Sequence, residues 1–170
     1  MTKETQTDRP IQLTHFDAEG HAHMVNISSK STTARRAVAR VEIFMQAETQ
    51  KLIEEGGLKK GNVLSVAEIA AVMGAKQTAQ MIPLCHPVPL EHVSVRHEFL
   101  EPLEGQSRLQ IEVEVAATYR TGIEMEALHA CSVAALTVYD MCKAVDRAMT
   151  IERLRVVYKS GGKSGTFEAE

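Results

Sequence analysis

Residues 82–90 read IPLCHPVPL and set Cys85 beside His86, between three prolines and four aliphatic side chains. Four readings fit such a pair: a metal site, a cysteine nucleophile with its base, one wall of a ligand pocket, or plain core. A tetrahedral zinc needs further ligands at usable spacing, and adjacent residues do not easily chelate one ion. The HAH at 21–23 is the nearest further source of ligands, and no Cys-x-x-Cys accompanies it. Neighbours on an extended segment point to opposite sides, so His86 is badly placed to polarise Cys85. That leaves a buried thiol beside a structural histidine, or a stiff rim that aims backbone amides and an imidazole at a ligand without losing entropy on binding.

The second set of reactive side chains lies in GIEMEALHACSVAALTVYDMCKAVDRA. It places Glu124 and Glu126 at one end of a helical run and Asp140 and Lys143 near the other. Glutamates in a first turn answer the helix dipole. Asp140 and Lys143, three apart, share a face and suit a structural ion pair. The stretch SVAALTVY is apolar nearly all round, which points to a central helix and a partly desolvated pair. A lysine so placed can give or take a proton while Asp140 orients it. The two readings of this pair stay open on the residues alone.

A third set concerns phosphate. KSGGKSG at 159–165 carries Lys159 and Lys163 on a glycine frame, but Val157 stands where a nucleotide-triphosphate loop needs glycine. Glycine amides with lysine can still cradle phosphate as a nest. Arg35 and Arg36 fall in the first turn of a predicted helix, and Lys59 and Lys60 in a turn before the next. Together they give an acidic chain a local anion site.

The elements that must position these residues are legible as follows. Residues 1–12 are polar and expected to fray. HAHMVNIS at 21–28 alternates like a strand. SSKSTT offers caps for a long helix over 32–55, with Ala34, Val38, Val41, Met45, Leu52 and Ile53 at helical spacing. SVAE at 65–68 has capping-box form and opens a second helix, with Ile69, Val72 and Met73 as its buried stripe and Pro83 at its end. Strands follow at 93–99 and 108–115, joined by a linker longer than a two-residue turn. A third helix over 125–147 and a strand over 153–158 complete the order, and KSGGKSG ends the ordered chain. The expected fold is α+β and ferredoxin-like, one antiparallel sheet with helices packed on one face. The uncovered sheet face and the apolar half of the second helix predict self-association.

Composition sets outer bounds. At 170 residues, with 44% apolar and 24% charged side chains, the chain suits one globular domain. A net charge of −3 disfavours nucleic acid as the main partner. Three widely spaced cysteines read as thiols of a reducing compartment, and no apolar run reaches the length of a membrane span. A cytoplasmic location with no membrane partner is therefore expected.

MIPLCHP, TGIEMEALHACSVAALTVYDMCKAVD and KSGGKSG resemble the cyclic pyranopterin monophosphate synthase family, over about residues 13–167. The resemblance implies a single catalytic domain and a lyase of molybdenum cofactor biosynthesis. It would turn (8S)-3',8-cyclo-7,8-dihydroguanosine 5'-triphosphate into cyclic pyranopterin monophosphate and diphosphate. It also implies a homohexamer, a trimer of dimers, with pockets at subunit interfaces. On this chain it implies Asp140, Lys60 and Lys143 as catalytic residues. Leu84, Cys85, His86, Met125 and Glu126 contact the ligand, with Arg35, Glu124 and Lys159 as further pocket residues. Lys163 joins the phosphate partners on charge alone. No resident metal or cofactor is implied, and Mg²⁺ would enter only with the triphosphate. Where the family usually carries Asp in MVDVS, this chain has Asn26. The alternative function is a non-catalytic pterin- or nucleotide-binding protein.

Overall fold

A computed structural model describes residues 14–56 and 62–169. The centre of the domain is β1 (Thr33–Met45), a strand where the helical spacing of Ala34, Val38, Val41 and Met45 predicts a helix. The correction has a simple cause. The same stretch also alternates Ala37, Ala39, Val41, Ile43 and Met45, and all five are at most 1% exposed. Strands on both sides take up its backbone groups, which outweighs the helix propensity of its alanines and arginines. Only α1 (Ala47–Glu54) remains of the predicted helix. The N-terminus of α1 has no cap of its own; buried Asp146 supplies one, accepting from Gln46 N at 2.8 Å and Thr49 Oγ1 at 3.2 Å.

After α2 (Val63–Met81) come β2 (His92–Leu103), β3 (Gln106–Tyr119), α3 (Glu124–Cys142), β4 (Thr150–Ser160) and a short β5 (Phe167–Glu168). The sheet order is β2-β3-β1-β4-β5, with every neighbouring pair antiparallel. With α2 and α3 on one face this is the expected ferredoxin-like arrangement. The β2–β3 connection is shorter than predicted: Leu103 pairs with Gln106 across a two-residue turn, Glu104 and Gly105, at φ 53° and 80°. Positive φ at both central residues is the geometry a tight hairpin needs. Residues 21–28 form no strand beyond a single bridge from Ala22 to Phe16, and the KSGGKSG tail leads on into β5. The predicted frayed segment 1–12 lies outside the described residues.

The open sheet face is charged rather than apolar. Arg36 donates to Glu114 at 2.7 and 2.8 Å and Arg40 to Glu112 at 2.7 Å, while Arg36 stacks on Tyr158. Exposed apolar side chains are found on the helices, and also at Ile151 and Leu154 of β4 and Phe167 of β5. Ile69 and Met73, predicted buried, are 64% and 53% exposed. The buried stripe of α2 is Val63, Ala67, Ala71, Gly74, Ala75 and Thr78, small residues that let α3 come close. A Cβ on Gly74 would stand 2.9 Å from Val133 Cγ2. The His129 ring meets the Gly74 carbonyl at 2.9 Å and Thr78 Oγ1 at 3.3 Å. These pairings make α2 and α3 antiparallel, so the start of α2 lies level with the end of α3.

Gly74→Val should destabilise the fold by about 1–3 kcal/mol through overpacking, measured by urea unfolding. Adding Val133→Ala, which returns the room, should recover part of that loss.

Candidate active site

The sheet and helices open at one end onto a cavity of about 780 Å³. The start of β1, the ends of β3 and β4 and the N-terminus of α3 all reach this end, as the pairings Thr33–Tyr119 and Arg36–Ser160 require. Each element contributes. From β1 comes Arg35, fixed by its Nε donating to Tyr119 O at 3.0 Å. From β4 and its glycine tail come Lys159 and Lys163, and from the first turn of α3 come Glu124, Met125 and Glu126. The proline-stiffened segment after α2 supplies Leu84, Cys85 and His86, while its Val88 and Leu90 anchor on the core. Thus nine residues singled out from the sequence converge on one space.

The glycines of the tail are needed there. Gly161 and Gly162 sit at φ 94° and 77°. A Cβ on the first would stand 2.2 Å from Ala34 O, and on the second 2.4 Å from an Arg35 guanidinium nitrogen. Close approach of the tail to β1 therefore sets Arg35 and Lys159 side by side.

The cavity wall carries five cations, Lys30, Arg35, Arg120, Lys159 and Lys163, against two carboxyls. That excess suits an anion, and the backbone amides of the α3 N-terminus add to it. The two carboxyls differ. Burial would raise Glu124, but the Lys159 ammonium at 2.8 Å, with Arg35 nearby, holds it below the usual range. Glu126 is 4% exposed, and burial, with the Glu124 charge, pushes it up to about 7. Burial and then Glu126 raise Cys85 as well, so this thiol is no activated nucleophile. Cys131, inside the core, is pushed up to about 12 by burial.

Several cavity residues escape sequence reasoning: His15, Val25, Lys30, Thr33, Arg120 and Thr121 among them. Thr33 and Arg35 are two apart on a strand and so share a face; reading 32–55 as helix hides that signal. Lys30 lies in SSKSTT, which reads as helix caps, and the segment holding His15 and Val25 has almost no regular structure to betray it. Asn26, at the departure from the family pattern, accepts from Ser28 N at 2.9 Å. An aspartate closes the same turn equally well.

Asp140 and Lys143 are elsewhere. They form the expected ion pair, yet their side chains are 61% and 52% exposed, so the predicted desolvation is not there. The reason is its face: Asp140 is in the last turn of α3 on the outward side, while its neighbours Met141 and Cys142 are buried in the core. It stands sixteen residues beyond Glu124, about 24 Å along the axis at 1.5 Å per residue. Lys60 lies outside the described residues; Asn62, which caps α2 through its side chain on Ser65 N, is at the Asp140 end of the helix pair. Within one chain the cavity and the Asp140–Lys143 pair are thus at opposite ends. Among the described residues no group of three or more His, Cys, Asp or Glu side chains is arranged to hold a metal. No helix among them is long and apolar enough to cross a membrane.

A ferredoxin-like domain with a cation-rich cavity at the head of α3 belongs to the class of small domains equipped to hold an anionic small molecule. Comparison with known proteins narrows it: the chain belongs to the MoaC family, whose sequence profile matches residues 24–162. Among similar proteins is a cyclic pyranopterin monophosphate synthase of Dinoroseobacter shibae, 54% identical over 158 residues, 93% of this chain and 98% of that protein. Those of Chloroflexus aurantiacus and Listeria monocytogenes carry the same name. They are 52% and 49% identical, over 92% and 93% of this chain and 94% and 96% of theirs.

Because Glu126 is raised from 4.5 to about 7 in the folded chain, it adds stability at low pH that is lost as pH rises through about 7. Glu126→Gln removes that term. Its melting temperature relative to wild type should climb as pH is raised from 4.5 through 7, and thermal scans across that range check it.

Proposed function

We propose that this chain is the lyase implied by its family. It would convert (8S)-3',8-cyclo-7,8-dihydroguanosine 5'-triphosphate into cyclic pyranopterin monophosphate with release of diphosphate, a step of molybdenum cofactor biosynthesis. The observation that carries this reading is the cavity. It has nucleotide size, a surplus of cations where a triphosphate would lie, and two carboxyls and a stiff Cys85–His86 rim where a purine-derived ring would lie. Its similarity to proteins named as synthases of that product supports the same reaction.

The chemistry asks for proton movement and phosphoryl transfer with no redox change. Opening the imidazole-derived ring and reclosing it as a pyran needs groups that give and take protons. Lys60 and Lys143 are proposed for that work, with Asp140 holding Lys143. Closing the cyclic phosphate needs the ribose-derived oxygen in line with the α-phosphorus and charge neutralised on the departing diphosphate. Arg35, Lys159 and Lys163 are proposed for the charge. Mg²⁺ would accompany the triphosphate if needed, as part of the substrate.

The 24 Å between cavity and Asp140 is too long for one small molecule, so the proposal requires a second copy to bring its Asp140 end to this cavity. A homohexamer built as a trimer of dimers, expected from the family, meets that need. The outward Val66, Ile69 and Met73 of α2 and Leu136 of α3 supply apolar surface for such contacts. A cytoplasmic location is proposed with it.

The runner-up, a non-catalytic pterin or nucleotide binder, would need the cavity but not the Asp140–Lys143 end. Supplying the cyclised triphosphate separates them: diphosphate and cyclic monophosphate should appear, and binding without either product contradicts the enzyme. Lys60→Ala should abolish turnover while light scattering shows the same assembly as wild type.

A further inference from the structure

Glu124 and Glu126 are two residues apart and live in opposite surroundings. Glu124 has a partner, the Lys159 ammonium at 2.8 Å. Glu126 is 4% exposed, and among the described residues no cation forms an ion pair with it. The groups around it are quickly named. On its own helix are Glu124 and His129, and the His129 ring is engaged with the Gly74 carbonyl. On the segment after α2 are the Cys85 thiol and His86. From the sheet come Arg35, donating to Tyr119 O, and Lys159, held by Glu124 and Ser164. Both are already engaged.

The carboxyl of Glu126 is met by its own backbone N–H, but a buried carboxylate with no cation beside it is still costly, whereas the neutral acid is tolerated. A ligand can reverse that balance. A guanine-type edge presents two N–H donors, the ring N1–H and the 2-amino group, at the spacing of a carboxylate's two oxygens. Charge-assisted hydrogen bonds of this kind favour the ionised form.

We propose that the empty cavity holds Glu126 as a neutral acid and that a ligand with a guanine-type donor edge is captured with loss of that proton. The carboxyl gives one proton to solvent and its two oxygens then accept the two ligand N–H groups, so that charge and protons balance. One buried side chain thereby reads the donor pattern of the ligand and ties its capture to pH. Below the pH at which the empty site deprotonates, each unit of rise strengthens binding up to about tenfold; above it the effect levels off. An adenine-type edge, with an acceptor at N1 and no 2-amino group, pairs with the neutral acid and releases no proton there. The raised affinity of Glu126 for its proton agrees with this placement. The inference rests on the cavity being a site for a guanine-derived triphosphate.

The test is calorimetric titration of the whole chain with GTP and with ATP, in buffers of different ionisation heat, at about pH 6 and about pH 8.5. Both ligands carry the same triphosphate, so protons lost from phosphate cancel. At the lower pH GTP should release close to one proton more than ATP, and at the higher pH the difference should vanish. In Glu126→Gln the difference should be absent at both, and GTP should bind at least tenfold more weakly. Equal proton counts for GTP and ATP in wild type, a GTP-specific proton that persists in Glu126→Gln, or no GTP binding at either pH overturns the proposal. Turnover of the cyclised triphosphate is assayed alongside. Turnover without the GTP-specific proton sinks this inference alone, and the proton without turnover sinks the enzymatic reading alone.

Discussion

The close contact of α2 with α3 at Gly74 is what the rest of the molecule depends on. Only a residue without a Cβ lets Val133 and the Ala130 backbone come that near, and the buried positions beside it, Ala71 and Ala75 on α2 and Ala127, Ala130 and Ala134 on α3, are alanines. Two 19-residue helices locked side by side make a stiff, antiparallel ruler on one face of the sheet. Its two ends cannot move relative to one another without breaking the core. One end carries Glu124, Met125, Glu126 and the Cys85–His86 rim; the other carries Asp140 and Lys143.

Charge is sorted just as strictly. On the open sheet face Arg and Glu pair across strands, Arg36 with Glu114 and Arg40 with Glu112. In the cavity the count is uneven, and positive charge is left over for a ligand. The difference comes from where the strands stop. Beyond Thr33 and Tyr119 there is no neighbouring strand to supply acidic partners, and the loops that close the space bring Lys30, Arg120 and Lys163. Within that surplus, Lys159 holds Glu124 below the usual carboxylate range while burial pushes Glu126 up to about 7, so two glutamates on one helix turn differ in their hold on a proton.

Much of this was legible in the sequence, and the errors share one physical cause. Strands β2 and β3 are readable because their apolar residues alternate, and the helix α3 because a long run that is apolar nearly all round and free of proline suits a buried helix. β1 is not, since its small and aliphatic residues fit periods of both two and about three and a half. The choice between them is made by two flanking strands that no local window contains. Misreading β1 puts Arg35 on a helix and hides its companion Thr33, yet Arg35 is still reached, together with Arg36 on charge and by itself through the family resemblance, neither of which depends on the secondary structure. Ile69 and Met73 read as buried because large apolar residues usually are; here the tight stretch of the helix pair around Gly74 takes small side chains instead. The separation of Asp140 from the cavity follows from helix length alone, 1.5 Å per residue, and could have been read from the residue numbers.

The central claim is that the two ends of the ruler serve one site only when different copies of the chain supply them. It is tested most directly by co-expressing two inactive variants, Arg35→Ala and Lys143→Ala, under different tags and isolating the oligomers that contain both. Restored turnover in those mixed oligomers, approaching about a quarter of the sites for random mixing, is the result this account predicts. Mixed oligomers as inactive as either variant alone would contradict it.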